Sequence, residues 1–251
     1  MKRIMLTVAY DGTGYHGWQL QPGEISIEEV LNRELSRITG EDIRVKGVSR
    51  TDAGVHAEGN LCIFDTESPI PPEKFSYAVN KSLPDDIVIQ ESREVPADFH
   101  PRKWDSEKTY EYHIVRCRHA DPLRRKYAFC CYYDLDVQLM RQAAEYLVGE
   151  YDFTSFCSAD TEKEDHVRRI ISLSVEEHGD EIVLSVTGNG FLYNMVRIIA
   201  GTLMEAGKGR IPPETVEKIR NAKDRTKAGP TAPACGLRLV KIRLIDPPWE
   251  K

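Results

Sequence analysis

The segment 49–56 contains the side chains best suited to carry out a reaction. Asp52 lies in a run of Thr, Asp, Ala and Gly, which is typical of a tight turn. Composition alone favours a structural role, because an Asp side chain can bond the backbone two residues further on. A catalytic role is the alternative, since Arg50 can keep the Asp52 carboxylate ionised at neutral pH, ready to act as a nucleophile or a base. We interpret His56 as structural, because no Ser or Cys nucleophile motif lies nearby.

Two further segments carry side chains suited to contact a substrate. The segment 108–112 places two tyrosines on one face of a predicted strand, where tyrosines usually pack in a core. In an RNA-modifying enzyme, one of the two could instead stack on an extruded base. In the second segment, Arg197 follows Asn194 by three residues, on the apolar side of a predicted helix. A charge in that position must be paired or face a cleft, and Asp52 is a candidate partner.

The segment 12–17 matches the G-x-G-x-x-G pattern of dinucleotide-binding proteins and follows a predicted strand. In those proteins the pattern opens a helix whose N-terminus holds the pyrophosphate. Here Pro22 and Gly23 interrupt the chain, and the signal for a helix begins only at Ser26. We therefore expect a tight loop rather than an NAD site.

The spacing of cysteines and histidines gives no support for a metal site or a disulfide framework. The six cysteines include no C-x-x-C pair, and the seven histidines include no H-x-x-x-H pair. Most of the cysteines lie in apolar stretches, where a free thiol behaves as a small buried hydrophobic group. We therefore expect free cysteines and no bound metal.

Composition indicates a globular protein, with 41% hydrophobic and 29% charged residues. The formal net charge of −6 counts against a nucleic-acid partner, although the segments 116–126 and 197–227 are locally rich in Lys and Arg. No apolar run approaches the ~18 residues that a membrane span requires. The N-terminus has the pattern of a strand rather than a signal peptide, so we expect a cytoplasmic protein.

Hydrophobic periodicity predicts the same order of elements in both halves of the chain, a split β-α-β pattern. Strands are predicted at 3–10, 43–49, 56–65, 87–95, 108–117, 168–177, 181–188 and 237–245. Helices are predicted at 26–40, 73–82, 136–148, 191–206 and 213–222. This order predicts an α+β fold with two ferredoxin- or RRM-like halves, 1–103 and 104–251, whose antiparallel sheets flank a central cleft.

Taken together, these segments resemble the tRNA pseudouridine synthase A family over nearly the whole chain. The matching segments, in chain order, are Tyr10-Asp11-Gly12-Thr13, Gly17-Trp18-Gln19, Arg50-Thr51-Asp52-Ala53-Gly54-Val55-His56, Asp98-Phe99-His100, Lys108-Thr109-Tyr110, Phe191-Leu192-Tyr193-Asn194-Met195-Val196-Arg197 and Gly236-Leu237. The segment from Arg50 to His56 is the most specific of them.

The resemblance implies isomerisation of uridine to pseudouridine at positions 38 to 40 of the tRNA anticodon stem-loop. It also implies a homodimer and no metal or organic cofactor. By the same resemblance Asp52 is the catalytic residue, Tyr110 packs on the target base and Arg197 pairs with Asp52. Arg50 matches a residue that helps to extrude the nucleotide, and Leu237 matches an apolar wall of the pocket.

Three other functions are compatible with parts of the sequence. The first is an RNA-binding module without catalytic activity, in which Asp52 would be dispensable. The second is a hydrolase that uses Asp52 and Glu58 as a carboxylate pair, which requires a separation of roughly 5–9 Å. The third is an NAD-dependent oxidoreductase built on the glycines of the segment 12–17.

Overall fold

The chain folds into two compact units. The first consists of Met1–Ser106 and Leu239–Lys251, and the second of Glu107–Arg238. The computed structural model describes residues 1–158, 165–247 and 249. No helix among these residues is both long enough and apolar enough to span a membrane.

The strands and α-helices are numbered in chain order. The strands are β1 (Lys2–Tyr10), β2 (Lys46–Gly47), β3 (His56–Thr66), β4 (Ile87–Val95), β5 (Ser106–Arg116), β6 (Phe129–Cys131), β7 (Gly149–Asp152), β8 (Val167–His178), β9 (Glu181–Gly188) and β10 (Leu237–Leu244). The helices are α1 (Ile27–Thr39), α2 (Phe75–Asn80), α3 (Val137–Glu145), α4 (Met195–Gly207) and α5 (Thr215–Ala222).

In the first unit, β1 lies between β3 and β4 and pairs antiparallel with both. The short β2 pairs with β3, which also has β10 as a neighbour. Ile4, Leu6 and Val8 alternate along β1 and are completely buried. The expected half-buried strand is therefore a central strand of this unit's core.

Helix α1 begins and ends where its capping residues predict. The Ser26 hydroxyl accepts a hydrogen bond from the Glu29 amide at 3.2 Å, which satisfies one of the free N–H groups of the first turn. Gly40 ends the helix in the left-handed region, at φ 74°. Ile27 and Leu31 on its apolar face are fully buried.

In the second unit, β5, β9, β8 and β7 follow one another as antiparallel neighbours, and β6 pairs parallel with β5. Helix α3 packs on β8 and on α4. Leu184 on β9 and Tyr112 on β5 lie opposite each other in the core. The predicted α+β class is confirmed.

Several local expectations were wrong. The strand predicted at 43–49 is reduced to the two residues of β2, and β6 and β7 were not predicted. Helix α4 begins at Met195 rather than near 191, because Asn194 has a left-handed φ of 59°, which a helix cannot include. The expectation of free cysteines fails for one pair: Cys117 and Cys130 form a disulfide, with their Cα atoms 5.8 Å apart.

Candidate active site

Asp52 occupies the first position of a tight turn between β2 and β3. The Val55 amide donates to the Asp52 carbonyl at 3.1 Å, and Gly54 has a φ of 76°. A glycine with positive φ in the third position is characteristic of a type II turn. The bond that closes this turn uses the backbone of Asp52, so the turn itself does not require a carboxylate. The Asp52 side chain itself is half-buried.

A buried network of neutral hydrogen bonds holds the chain just before the turn. The Asn60 amide group on β3 donates to the Tyr10 hydroxyl at 3.2 Å and to the Ser49 carbonyl at 3.0 Å. Tyr10 and the Thr51 hydroxyl are 2.7 Å apart. Asn60 is 0% exposed, so these bonds form where water cannot compete and leaving them unmade would be costly. The network thereby fixes Ser49 and Thr51, the residues on either side of Arg50.

The glycine-rich segment 12–17 packs directly against the Asp52 turn. A Cβ added to Gly12 would lie 2.0 Å from the Val55 carbonyl oxygen, and one added to Gly17 would lie 2.5 Å from the Thr51 carbonyl oxygen. Only glycine permits so close an approach of two backbones. Since α1 begins at Ile27, well beyond these glycines, the segment forms only one short 3-10 turn and does not open an α-helix. The expected tight loop is confirmed, and its glycines are explained by packing.

His56 belongs to the same packed region. It is buried at the start of β3, and the Gly12 amide donates to its Nδ1 atom at 3.1 Å. His56 thus fixes the glycine-rich segment on β3, which agrees with the structural interpretation.

Two arginines lie close together beside the turn. Arg50 is exposed, and the Arg102 Nε atom donates to the Gly47 carbonyl at 2.8 Å. Partial burial lowers the pKa of Arg102, and the positive charge of Arg50 lowers it further. This surface therefore favours an anionic ligand. Arg102 was not among the predicted site residues, because only the folded chain brings positions 47 and 102 together.

Tyr110 lies in the second unit, on β5. Its side chain is buried, and its ring meets the Phe191 ring edge-to-face with centroids 5.2 Å apart. Tyr112 lies on the same face of β5, as the alternating spacing predicted, and its hydroxyl donates to the Pro233 carbonyl at 2.9 Å. Both tyrosine rings therefore have fixed positions.

Arg197 is held in the first turn of α4 by neutral acceptors. Its Nε atom donates to the Ala232 carbonyl and its Nη1 atom to the Asn194 side-chain oxygen, both at 2.7 Å. Burial raises the pKa of Tyr112 and of Cys235, and the positive charge of Arg197 opposes that rise in both. The guanidinium charge of Arg197 therefore acts on β5 and on the segment leading into β10.

Leu237, at the start of β10, is buried beside β5. A Cβ added to the preceding Gly236 would lie 2.8 Å from the Tyr112 ring, and Arg238 donates to Glu111 at 2.7 Å. The second unit thus brings Leu237 into the region of Tyr112 and Arg197. Asp52 and Arg50 belong to the first unit, and the predicted pairing of Arg197 with Asp52 stays a prediction.

The model of the tRNA pseudouridine synthase family matches residues 6–102 and 143–243. The matched residues include Asp52, Arg50, Arg197 and Leu237, but not Tyr110. This chain belongs to the tRNA pseudouridine synthase family. Members of this family are isomerases that convert uridine to pseudouridine in tRNA.

Relatives in the family align with the chain over almost its full length. It is 51% identical to tRNA pseudouridine synthase A of Brevibacillus brevis, an alignment that covers 96% of this chain and 99% of the relative. The protein of the same name from Halalkalibacterium halodurans is 48% identical, over 94% of this chain and 90% of the relative. The protein of that name from Clostridium acetobutylicum is 46% identical, over 96% of this chain and 99% of the relative.

Proposed function

We propose that this protein isomerises uridine to pseudouridine at positions 38 to 40 of the tRNA anticodon stem-loop, and that Asp52 carries the reaction. The observation behind this proposal is the Asp52 turn. Its conformation is fixed by buried neutral bonds and closed through the backbone carbonyl of Asp52, so the turn holds the carboxylate in a defined place. A carboxylate held in this way, in a chain of this family, is suited to act as a nucleophile or a base.

The reaction needs no redox chemistry. The bond between ribose C1′ and uracil N1 breaks, the uracil turns, and C1′ forms a bond to C5. The C5 proton is lost and N1 gains a proton, so the product is an isomer of the substrate. Asp52 can serve by adding covalently to the sugar or base, or by removing a ribose proton as the base departs.

Tyr110, Arg197 and Leu237 are proposed to bind the target uridine. Stacking on Tyr110 would keep the detached uracil in place, and the buried Tyr110 ring already has a fixed orientation against Phe191. The Arg197 guanidinium, held by two acceptors, supplies an oriented positive charge. Leu237 would exclude water from the detached base.

Arg50 is proposed to help extrude the nucleotide from its stack, which costs a few kcal/mol. Its exposed position beside Arg102 supports this role, because two neighbouring guanidinium groups attract the phosphates that flank the target. We further propose that the protein works in the cytoplasm as a homodimer.

The reaction is tested with an unmodified tRNA transcript that carries uridines at positions 38 to 40. We expect pseudouridine at one or more of these positions, detected by chemical mapping and mass spectrometry. A transcript with cytidines there is the matched control and should remain unmodified. Free uracil among the products would indicate the hydrolase that pairs Asp52 with Glu58, and tightly bound but unchanged RNA would indicate a binding module.

The role of Arg197 is tested by Arg197→Lys, which keeps the charge but cannot reproduce the planar two-acceptor geometry. We expect kcat to fall about 100-fold, the effect that misplacing a group by roughly 1 Å can have. The affinity for tRNA should change little. Arg141→Lys is the control, since Arg141 Nε also donates to a carbonyl, that of Val175, in the same unit. Equal kcat values for the two variants would remove Arg197 from the site.

A further inference from the structure

The connection between β5 and β6 is a loop that the proposed reaction does not use. The disulfide between Cys117 and Cys130 closes its base, with a Cα–Cα distance in the usual range for disulfides. The parallel pairing of β5 with β6 brings the two cysteines together, and the Cys117 amide donates to the Cys131 carbonyl at 3.1 Å. We refer to residues 118–129 as the disulfide loop.

The disulfide loop has a defined backbone conformation. The Asp121 side chain accepts from the Leu123 amide at 2.8 Å, and its carbonyl accepts from the Arg125 amide at 2.9 Å. The Ala128 amide donates to the Arg124 carbonyl at 3.0 Å. The tip is therefore a pair of helix-like turns with an acidic cap, and it can present its side chains in fixed directions.

The arginines of the disulfide loop fall into two groups. Arg124 donates to Asp180 at 2.7 Å and thereby ties the loop to the turn between β8 and β9. Arg118 and Arg125 are exposed, and neither has a hydrogen bond or an ion pair from its side chain to any described residue. Two unneutralised guanidinium groups on one short loop favour an anionic partner.

Apolar side chains accompany these cations. Leu123 is 86% exposed and Tyr127 is 51% exposed, although water is an unfavourable environment for both. Arginines interleaved with an exposed aromatic ring are typical of surfaces that bind unpaired or looped RNA, in which phosphates meet the cations and bases stack on the ring. The polyanion that the proposed function brings to this protein is tRNA.

We propose that the disulfide loop is a second tRNA-binding element, and that tRNA binds more tightly when Cys117 and Cys130 are joined than when they are reduced. The inference rests on the proposed function, because tRNA is the ligand. When the disulfide is reduced, the exposed ion pair of Arg124 with Asp180 and the backbone hydrogen bonds described above still restrain the loop. A looser loop loses more conformational freedom on binding RNA, so its affinity is lower.

The redox step exchanges one disulfide for another. The two thiols of Cys117 and Cys130 give up two protons and two electrons and form one S–S bond. A low-molecular-weight disulfide such as oxidised glutathione accepts them, and its own S–S bond breaks to give two thiols. Disulfides are rare in reducing compartments. In the cytoplasm the joined form would therefore mark oxidising conditions.

The first experiment measures equilibrium binding of unmodified tRNA to the full-length protein. For Arg118→Ala/Arg125→Ala we expect Kd to rise about tenfold, and the slope of log K against log salt to fall by about two, one for each lost phosphate contact. The control Arg44→Ala/Arg93→Ala removes the same charge, but from arginines that already pair with Asp42 and Glu91. Equal effects of the two double variants would overturn the proposal.

The second experiment compares protein treated with oxidised glutathione and protein treated with dithiothreitol. Titration of free thiols should show two fewer in the oxidised form, and we expect its tRNA affinity to be roughly fivefold higher. Cys117→Ser/Cys130→Ser should bind like the reduced protein and should not respond to either reagent. Identical Kd values for oxidised and reduced wild-type protein would contradict the role of the disulfide.

Pseudouridine formation by the wild-type protein is measured in the same samples. If no pseudouridine forms, the proposed function itself fails. If pseudouridine forms and the loop variants bind tRNA normally, only the inference about the disulfide loop fails.

Discussion

The Asp52 turn and the disulfide loop both connect strands, but they are held by different kinds of interaction. The Asp52 turn is fixed by buried hydrogen bonds between neutral groups, with Asn60 at their centre. The disulfide loop is fixed by a covalent bond at its base and by the exposed ion pair of Arg124 with Asp180. The Asp52 turn thus depends on buried interactions, whereas the disulfide loop depends on a covalent bond and an exposed ion pair.

This difference determines how each loop responds to its surroundings. Neutral buried hydrogen bonds do not depend on salt, on redox potential or on pH in the range where their groups keep their protons. An exposed ion pair is screened by salt, and a disulfide depends on the redox potential. The geometry of the proposed reaction centre should therefore remain constant while the strength of tRNA binding varies.

The largest effect is expected for Gly12→Ala, which forces a Cβ to within 2.0 Å of the Val55 carbonyl oxygen. The new Cβ is attached rigidly to the Gly12 Cα and the Val55 carbonyl belongs to the backbone, so neither can yield without moving the Asp52 turn. The free energy of unfolding should fall by roughly 3 kcal/mol or more, and pseudouridine formation should be lost. Denaturant unfolding and the mapping assay measure the two effects.

Gly14→Ala is the matched control for Gly12→Ala. Both glycines belong to the same short 3-10 helix, but a Cβ on Gly14 would have no heavy atom within 4 Å. The free energy of unfolding should change by no more than about 0.5 kcal/mol. Equal losses in the two variants would show that close packing against the turn is not the reason for Gly12.

An intermediate effect is expected for Asn60→Ala, which removes the centre of the buried network. The Ser49 carbonyl and amide lose their Asn60 partners in the core, so the free energy of unfolding should fall by roughly 2–3 kcal/mol. Because the turn is then less well positioned, kcat should fall as well. Stopped assays at saturating tRNA measure kcat.

Asn80→Ala is the control for Asn60→Ala. Asn80 exchanges two hydrogen bonds of 2.8 Å with the Ile89 backbone, but it is exposed and these bonds join α2 to β4 rather than to the Asp52 turn. Asn80→Ala should lower the free energy of unfolding by less than Asn60→Ala does, and it should leave kcat unchanged. An equal loss of kcat would mean that the effect of Asn60→Ala is one of general destabilisation.

The smallest effect is expected when the pH is lowered, which should loosen the disulfide loop. The hydrogen bond from Arg124 lowers the pKa of Asp180 in the folded protein. The Arg124–Asp180 ion pair therefore contributes its full stability above the pKa of an unfolded Asp, which is about 3.9. That contribution is lost as the pH falls through the lower pKa that Asp180 has in the folded protein. Amide-exchange protection at Ala128 should decrease as the pH falls below the unfolded value towards the lower folded one, while that of Val55 persists. Asp180→Asn should show the reduced protection already at neutral pH.

Local sequence signals predicted the elements whose causes are local. Alternation along Ile4, Leu6 and Val8 predicted β1, and the caps Ser26 and Gly40 predicted both ends of α1. The start of α4 could not be predicted in this way. The apolar spacing continues back to Phe191, whose ring packs on Tyr110 from outside the helix.

The candidate site was predictable only in part, for the same reason. The position of Asp52 in a turn follows from its neighbours, whereas the bonds that fix the turn join Asn60 with Tyr10, which are 50 residues apart. The disulfide between Cys117 and Cys130 depends on the parallel register of β5 with β6, and three-residue strands carry no periodic signal. Contacts of this kind become visible only in the folded chain.

The most direct test of Asp52 is the rate of pseudouridine formation by Asp52→Asn in a single turnover. The tRNA carries tritium at uridine C5, and the tritium is released when C5 forms its bond to C1′. The turn closes through the backbone carbonyl of Asp52, so the Asn variant should fold and bind tRNA with a Kd within about twofold of wild type. We predict that its tritium release is slower by about 10³-fold or more. Release at close to the wild-type rate would show that another group performs the reaction.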